Sequence, residues 1–262
     1  MTTTNQMPAQ VLAAVVTGAC GGIGRGTAER LARDGWRLIV TDLDEDKAKA
    51  LAADLPGEGH CGLACNVADE ASVSQLFDFI TEAYGHVDGL VTAAGILRLG
   101  EGGARTPLAE MSVEDFDDHL SVNARGTFLC LRAFLRQWSN GVRPVRGRIV
   151  TFGSVAAQLG GYRSSASYIA SKGAVMALTK AAAREAAPLG VTVNGVAPGL
   201  IDAPMLRLSL APGQEKAAAE TIPLGRIGTP EDVAAAISYL MSEGGGYMTG
   251  GILDINGGYR MQ

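Results

Sequence analysis

The chain has 262 residues, 47% of them hydrophobic, with 35 glycines and a net charge of −5. This size and apolar content suit one α/β domain with a sizeable core, and the glycines, which follow no collagen-like period, read as turns and close backbone approaches. The acidic balance argues against a nucleic-acid partner or an anionic membrane surface. Cys61 and Cys65 lack a second Cys or His pair to complete four ligands, so no metal site is expected. With Cys20 and Cys130 they read as free thiols in a reducing compartment. The N-terminal stretch lacks a charged n-region, and the apolar run 11–16 is too short for a signal core or a membrane span. A cytoplasmic protein is the expectation.

Taken in order, Val11-Leu12-Ala13-Ala14-Val15-Val16 reads as a buried strand. It runs into Thr17-Gly18-Ala19-Cys20-Gly21-Gly22-Ile23-Gly24 and then a helical pattern with Ala28, Leu31 and Ala32 on one face. In this strand–loop–helix unit Gly18 permits the tight turn, Gly22 lets the backbone approach a pyrophosphate, and Gly24 lets the helix pack on the sheet. The helix N-terminus offers its free N–H groups to phosphates, and Arg25 beside it could reach one. A second strand, 37–41, ends at Asp42, which is placed to accept from an adenosine ribose and would repel a 2′-phosphate. No Lys or Arg immediately follows it, so NAD(H) is favoured over NADP(H). The competing role for Asp42 is N-cap of the next helix.

A polar helix over 46–55, a third strand ending near Asn66-Val67, and an amphipathic helix over 69–83 follow. The fourth strand, 88–92, leads into Ala93-Ala94-Gly95-Ile96, small enough for a flat ring or a ribose to lie against. Residues 97–107 read as a rim loop, Ser112 as a helix cap with Asp115 at the capping-box position, and a long helix as running through Asn123 to Trp138. A basic connector, 143–148, precedes the fifth strand, 148–152, and Gly153-Ser154 stands at its carboxyl end, where open α/β sheets bind ligands. Ser164 or Ser165 caps the next helix, which reaches about Ala187. A sixth strand, Pro198-Gly199, a mobile helical lid over 203–220, a helix opened by Pro230 and a last strand, 251–255, complete the chain.

In the helix after Ser165, Ser167-Tyr168-Ile169-Ala170-Ser171-Lys172 puts a tyrosine and a lysine one turn apart on one face. Free tyrosine has a pKa of about 10. A cation one turn away favours the phenolate, which makes the phenol able to exchange a proton with an alcohol or carbonyl oxygen. The spacing alone is more often a surface pair, so the rest of the chain has to supply a site around it.

Together Thr17-Gly18-x-x-x-Gly22-x-Gly24, Asn123, Ser154, Tyr168-x-x-x-Lys172 and Pro198-Gly199 make the chain resemble the classical short-chain dehydrogenase/reductase family from about residue 10 to 260. The resemblance implies a Rossmann-like, doubly wound parallel sheet of seven strands, in order 3-2-1-4-5-6-7 with helices on both faces. It implies one domain over 1–262 with a substrate-binding lid around 200–225. Tyr168 would be the general acid/base, Lys172 its tuner and a ribose ligand, Ser154 the group that orients the substrate oxygen, and Asn123 a helix-bending residue holding a relay water. Gly18, Gly22, Ile23, Gly24, Asp42, Asn66, Val67, Ala94, Gly95, Tyr168, Lys172, Pro198, Gly199 and Ile201 would hold NAD. With Ser154 and Tyr168, Gln158, Tyr162 and Met205 would line the substrate pocket beside Leu97 and Leu206.

Four departures from the family pattern stand out. Thr92-Ala93-Ala94-Gly95 replaces the usual Asn-Asn-Ala-Gly, Asn66 replaces an acid, and Ala203 replaces a threonine, so that contact is lost or moved to Asp202 or the backbone. The span from Ser154 to Tyr168 is also long. The implied activity is NAD(H)-dependent interconversion of a small-molecule secondary alcohol and ketone, without metal. The resemblance also implies a homotetramer through the helices of Asn123 and Tyr168, where Ala166, Ala170, Ala174 and Ala177 permit close packing. The alternative enzyme is a 3-oxoacyl-acyl carrier protein reductase, whose acidic carrier could meet Arg125, Arg132 and Arg136. A non-catalytic NAD sensor on the same fold is the alternative from another class.

Overall fold

The computed structural model describes residues 11–139 and 147–261. The expected polar N-terminal stretch and positions 143–146 of the basic connector lie outside the described residues. The first half runs β1 (Ala13–Thr17), α1 (Gly22–Arg33), β2 (Arg37–Asp42), α2 (Glu45–Asp54), β3 (Cys61–Ala64), α3 (Glu70–Tyr84), β4 (Gly89–Thr92) and α4 (Val113–His119). The second half runs α5 (Gly126–Ser139), β5 (Gly147–Phe152), α6 (Val155–Leu159), α7 (Ala166–Ala186), β6 (Val191–Pro198), α8 (Pro204–Arg207), α9 (Glu215–Glu220), α10 (Pro230–Met241) and β7 (Ile252–Ile255).

Among the described residues the strands form one seven-stranded sheet in the order β3-β2-β1-β4-β5-β6-β7, and every neighbouring pair is parallel. Each interior strand is buried on both faces, which explains its continuous apolar run. Successive side chains point to opposite sides of the sheet. Thus Ala13 and Val15 enter a core with Leu76 and Phe77 of α3, Phe134 of α5 and Ala183 of α7. Ala14 and Val16 enter a second core with Leu31 of α1, Leu51 of α2 and Ile237 of α10. No helix among the described residues is long and apolar enough to cross a membrane.

Several boundaries differ from the sequence reading. β1 starts at Ala13, with Val11 exposed, because pairing begins at Ala13 opposite Arg37. Asp44, not Asp42, caps α2 by accepting from Lys47 N. The single helix expected through Asn123 is interrupted by a π-type turn over Leu120–Arg125. Ser165 rather than Ser164 caps α7, accepting from Tyr168 N at 3.3 Å. Arg148, where the basic connector meets the fifth strand, is buried in β5 and donates to Ser242 O at 3.2 Å. The expected lid is two short helices, α8 and α9, joined by Arg207, which pairs with Asp202 and Glu215. Leu206, Leu210 and Ala218 give it a small core of its own.

Candidate active site

The strand order reverses direction between β1 and β4, and loops leaving the carboxyl ends of neighbouring strands diverge there. A cleft of about 710 Å³ opens at this point. Every residue expected to hold the cofactor lines it: Gly18, Gly22, Ile23 and Gly24 after β1, Asp42 at the end of β2, and Asn66 and Val67 after β3. Ala94 and Gly95 after β4, Tyr168 and Lys172 on α7, and Pro198, Gly199 and Ile201 after β6 complete that set.

The glycine loop is sterically required. Gly18 has φ +62°, and a Cβ there would stand 2.5 Å from Ala94 Cα. A Cβ on Gly24 would stand 2.1 Å from Gly18 O. α1 begins at Gly22 after the N-cap Gly21, which has no side chain to cap it, so its first N–H groups face the cleft without an acceptor from the N-cap side chain. This bare helix start is an anion cradle that fits a dinucleotide's pyrophosphate. Arg25 is not part of it; its guanidinium pairs with Glu29 and Asp54.

Asp42 is held by two amides: Cys20 N donates to Oδ2 at 3.0 Å and Leu43 N to Oδ1 at 2.8 Å. The carboxylate is therefore fixed in place where it borders the cleft. Lys47, which the sequence reading passed over, also lines the cleft, with its ammonium 2.9 Å from Asp44. Asn66 folds its own loop, its Oδ1 accepting from Ala68 N at 3.1 Å.

Toward the other end, Ser154 follows β5 and caps α6, its Oγ accepting from Ala156 N at 3.1 Å. The Ser154 side chain stands close enough to the Tyr168 phenol to act on its ionisation. Lys172 Nζ lies 5.8 Å from the centre of the Tyr168 ring and donates to Phe152 O at 3.0 Å. All three side chains are buried. The sequence reading has the lysine lowering the tyrosine pKa. In the structure burial dominates and raises it, with only Ser154 acting downward. The same burial lowers Lys172 to about 8. Two neighbouring hydroxyls beside a buried amine can hold a carbonyl or alcohol oxygen and exchange a proton with it.

Asn123 is fully buried behind the cleft rather than on its wall. Its Oδ1 accepts from Ile96 N at 2.8 Å, and its Nδ2 donates to Ile96 O at 3.1 Å and Ser171 Oγ at 2.9 Å. These direct bonds tie the β4 exit to α7. The Thr92-Ala93 departure leaves Thr92 Oγ1 buried without a hydrogen bond, while Thr17 Oγ1 holds Ala94 N at 3.3 Å. Asp202 is engaged by Arg207 and is not among the residues that line the cleft, whereas Ala203 is.

Tyr162 and Met205 line the cleft, as do Leu97 and Leu206. Gln158 does not. The single turn of α6 rotates it away, and its amide donates to Asp254 Oδ1 on β7 at 2.8 Å. The sequence reading missed His119, Ser171 and Arg163. His119 Nε2 accepts from Arg98 N at 2.9 Å, which places the ring proton on Nδ1, 2.7 Å from Asp115 O and 3.1 Å from Ser167 Oγ. Its ring meets Tyr168 edge-on at 6.3 Å. Ser171 could have been found as the residue three positions after Tyr168 on the same helix; a lone His119 carries no such signal.

The fold and this cleft are those of a nucleotide-binding oxidoreductase, and comparison with known proteins gives the family. The family model described as enoyl-(acyl carrier protein) reductase matches residues 18–260. The chain is 37% identical over 248 residues to the 3-oxoacyl-(acyl-carrier-protein) reductase FabG of Escherichia coli K12, covering 95% of this chain and 97% of that protein. It is 35% identical over 251 residues to the D-threitol dehydrogenase of Mycolicibacterium smegmatis, covering 95% and 93%. Its fold superposes with a TM-score of 0.87 on the 3-ketoacyl-(acyl-carrier-protein) reductase of Brucella melitensis complexed with NADH, at 30% identity and 95% and 98% coverage. The chain belongs to the short-chain dehydrogenase/reductase family and is an oxidoreductase of that family.

Proposed function

We propose that the protein uses a nicotinamide dinucleotide, NAD(H) in preference to NADP(H), to interconvert a secondary alcohol and a ketone. The observation that carries this reading is the meeting of Ser154, Tyr168 and Lys172 in a cleft that also holds the bare start of α1 and the amide-fixed Asp42. When bound, the nicotinamide supplies hydride transfer to or from the substrate carbon. Ser154 donates to the substrate oxygen and orients it. Tyr168 gives that oxygen a proton in reduction and takes one in oxidation, and the Lys172 cation favours the phenolate that remains after donation. Burial keeps the phenol protonated, which suits carbonyl reduction near neutral pH. Asp42 selects the cofactor by accepting from a ribose hydroxyl and repelling a 2′-phosphate.

A second reading, 3-oxoacyl-acyl carrier protein reductase, is the named activity that the relatives favour most strongly. Its substrate is itself a ketone, so the same residues serve it, and the NADH bound to the Brucella relative is consistent with Asp42 here. The purified protein is to be assayed by the absorbance of reduced nicotinamide, with NADH and NADPH, on simple ketones, polyols and acetoacetyl-pantetheine. Thioester reduction at least about tenfold more efficient than any simple ketone, a difference of about 1.4 kcal/mol in barrier, selects the second reading. Tight NADH binding with no turnover on the whole panel overturns both and leaves a cofactor sensor. In this proposal the molecule is a homotetramer packed through α5 and α7, which sedimentation would test.

A further inference from the structure

The charges lining the cleft are segregated. Asp42 and Asp44 are its acids, both at or just past the end of β2, and Lys47 beside them is paired with Asp44. β2 and β5 are three strand spacings apart in the sheet, about 14 Å. At the β5 end the buried Lys172 stands beside Tyr168; past them the wall contributed by Leu97, Leu159, Met205 and Leu206 is apolar, and the exposed charge that borders it is Arg163. Arg163 sits in the 160–164 loop and donates through NH1 to Ser209 O at 3.2 Å. No carboxylate among the described residues pairs with it. In the neighbouring lid Asp202 and Glu215 both bind Arg207, Glu220 is exposed at the far end of α9, and Arg98 on the opposite rim takes Asp118. Behind the loop, Arg105 NH1 donates to Gly161 O at 2.9 Å and braces the segment from which Arg163 projects.

A guanidinium bordering a cleft with only a main-chain carbonyl as partner retains donors for an anion, and its planar fork suits carboxylate or phosphate oxygens. We propose that the substrate carries an anionic group, received by Arg163, on the side of its reacting oxygen away from the cofactor. The inference rests on the oxidoreductase reading above and narrows it from alcohols and ketones at large to those bearing a negative charge. A neutral polyol offers Arg163 nothing beyond the hydrogen bonds water already gives. The anion has two possible sources, a carboxylate on a small oxo acid or the phosphate of a carrier's pantetheine arm, and the charge is what they share.

The test uses the full chain with NADH and matched ketone pairs. One arm sets acetoacetate and levulinate against their ethyl esters; the other sets acetoacetyl-pantetheine 4′-phosphate against acetoacetyl-pantetheine. The expected result is a preference for the charged member of at least one arm, reduced about tenfold in Arg163→Gln and partly restored in Arg163→Lys. The preference should also fall with added salt. The arm that responds identifies the source of the charge. Because each ratio is internal to one variant, loss of the Ser209 bond affects both members alike and cancels. Equal kcat/KM within every pair, or a preference untouched in Arg163→Gln, overturns the anion proposal while leaving the oxidoreductase reading standing. No NADH oxidation with any member overturns that reading and the proposal together.

Discussion

The two ends of the cleft are built differently. At the adenosine end the contacts are main-chain: Gly18 and Gly24 sit where a Cβ cannot, the start of α1 is bare, and Asp42 is pinned by the amides of Cys20 and Leu43. At the substrate end the wall is assembled from distant segments held by side chains reaching to backbone. Arg105 reaches Gly161, Arg163 reaches Ser209, and His119 takes Arg98 N. A main-chain site tolerates few ligands because moving it means refolding a strand end. A site tied by single side-chain bonds can be retuned one residue at a time, so under the proposed function specificity for substrate is expected there.

The largest expected effect separates chemistry from both kinds of binding. Tyr168→Phe should lower kcat by about 10³-fold, in the range for removing a general acid/base. NADH binding, followed by fluorescence titration, should stay within a factor of a few. Turnover above a tenth of wild type would remove Tyr168 from the proton path.

Next in size is a break at the main-chain end. Gly24→Ala drives a Cβ to 2.1 Å from Gly18 O, so the loop or α1 has to shift. We expect destabilisation of about 1–3 kcal/mol by urea unfolding, the range for overpacking a tight site. Cofactor affinity should fall with it. A variant with wild-type stability and NADH affinity would show the cradle to be more compliant than the geometry implies.

This contrast also explains what the sequence revealed. The sheet order and its helical layers could be read because parallel strands buried on both faces leave unbroken apolar runs, and the β1–α1 glycines have one steric meaning. The place of Asp42 beside the cleft was legible from its distance past that loop. The substrate end was not. Gln158 was misplaced because the single turn of α6 points it at Asp254, which is far away in sequence. His119 was missed because its partners come from three separate segments. The pKa direction of Tyr168 was misjudged because the sequence displays the neighbouring cation but not the depth of burial.

A milder perturbation sharpens the cofactor argument. Asp42→Ala removes both the ribose acceptor and the charge that repels a 2′-phosphate. The ratio of kcat/KM for NADH over NADPH should fall by about tenfold or more, since like charges brought together cost on the order of kcal/mol. An unchanged ratio would move cofactor choice to Lys47 or to the glycine loop.

The smallest effect comes from comparing the lysines at the two ends. Lys47 is exposed and its pKa is raised by its hydrogen bond to Asp44. Lys172 is buried without a carboxylate, and its pKa falls from 10.5 to about 8. Between those two values the unfolded chain binds more protons at Lys172 than the folded one, so the stability contribution of this residue rises with pH through that window. From pH 7 to pH 9 the gain should be about 1 kcal/mol by linkage. Lys172→Met removes the titration but not the other groups, so urea unfolding of both proteins at each pH isolates it. Wild type should gain on the variant as pH rises. Parallel stability curves would mean that Lys172 remains charged in the folded protein across this range, with the ammonium solvated or paired in a way that its bond to Phe152 O alone does not provide.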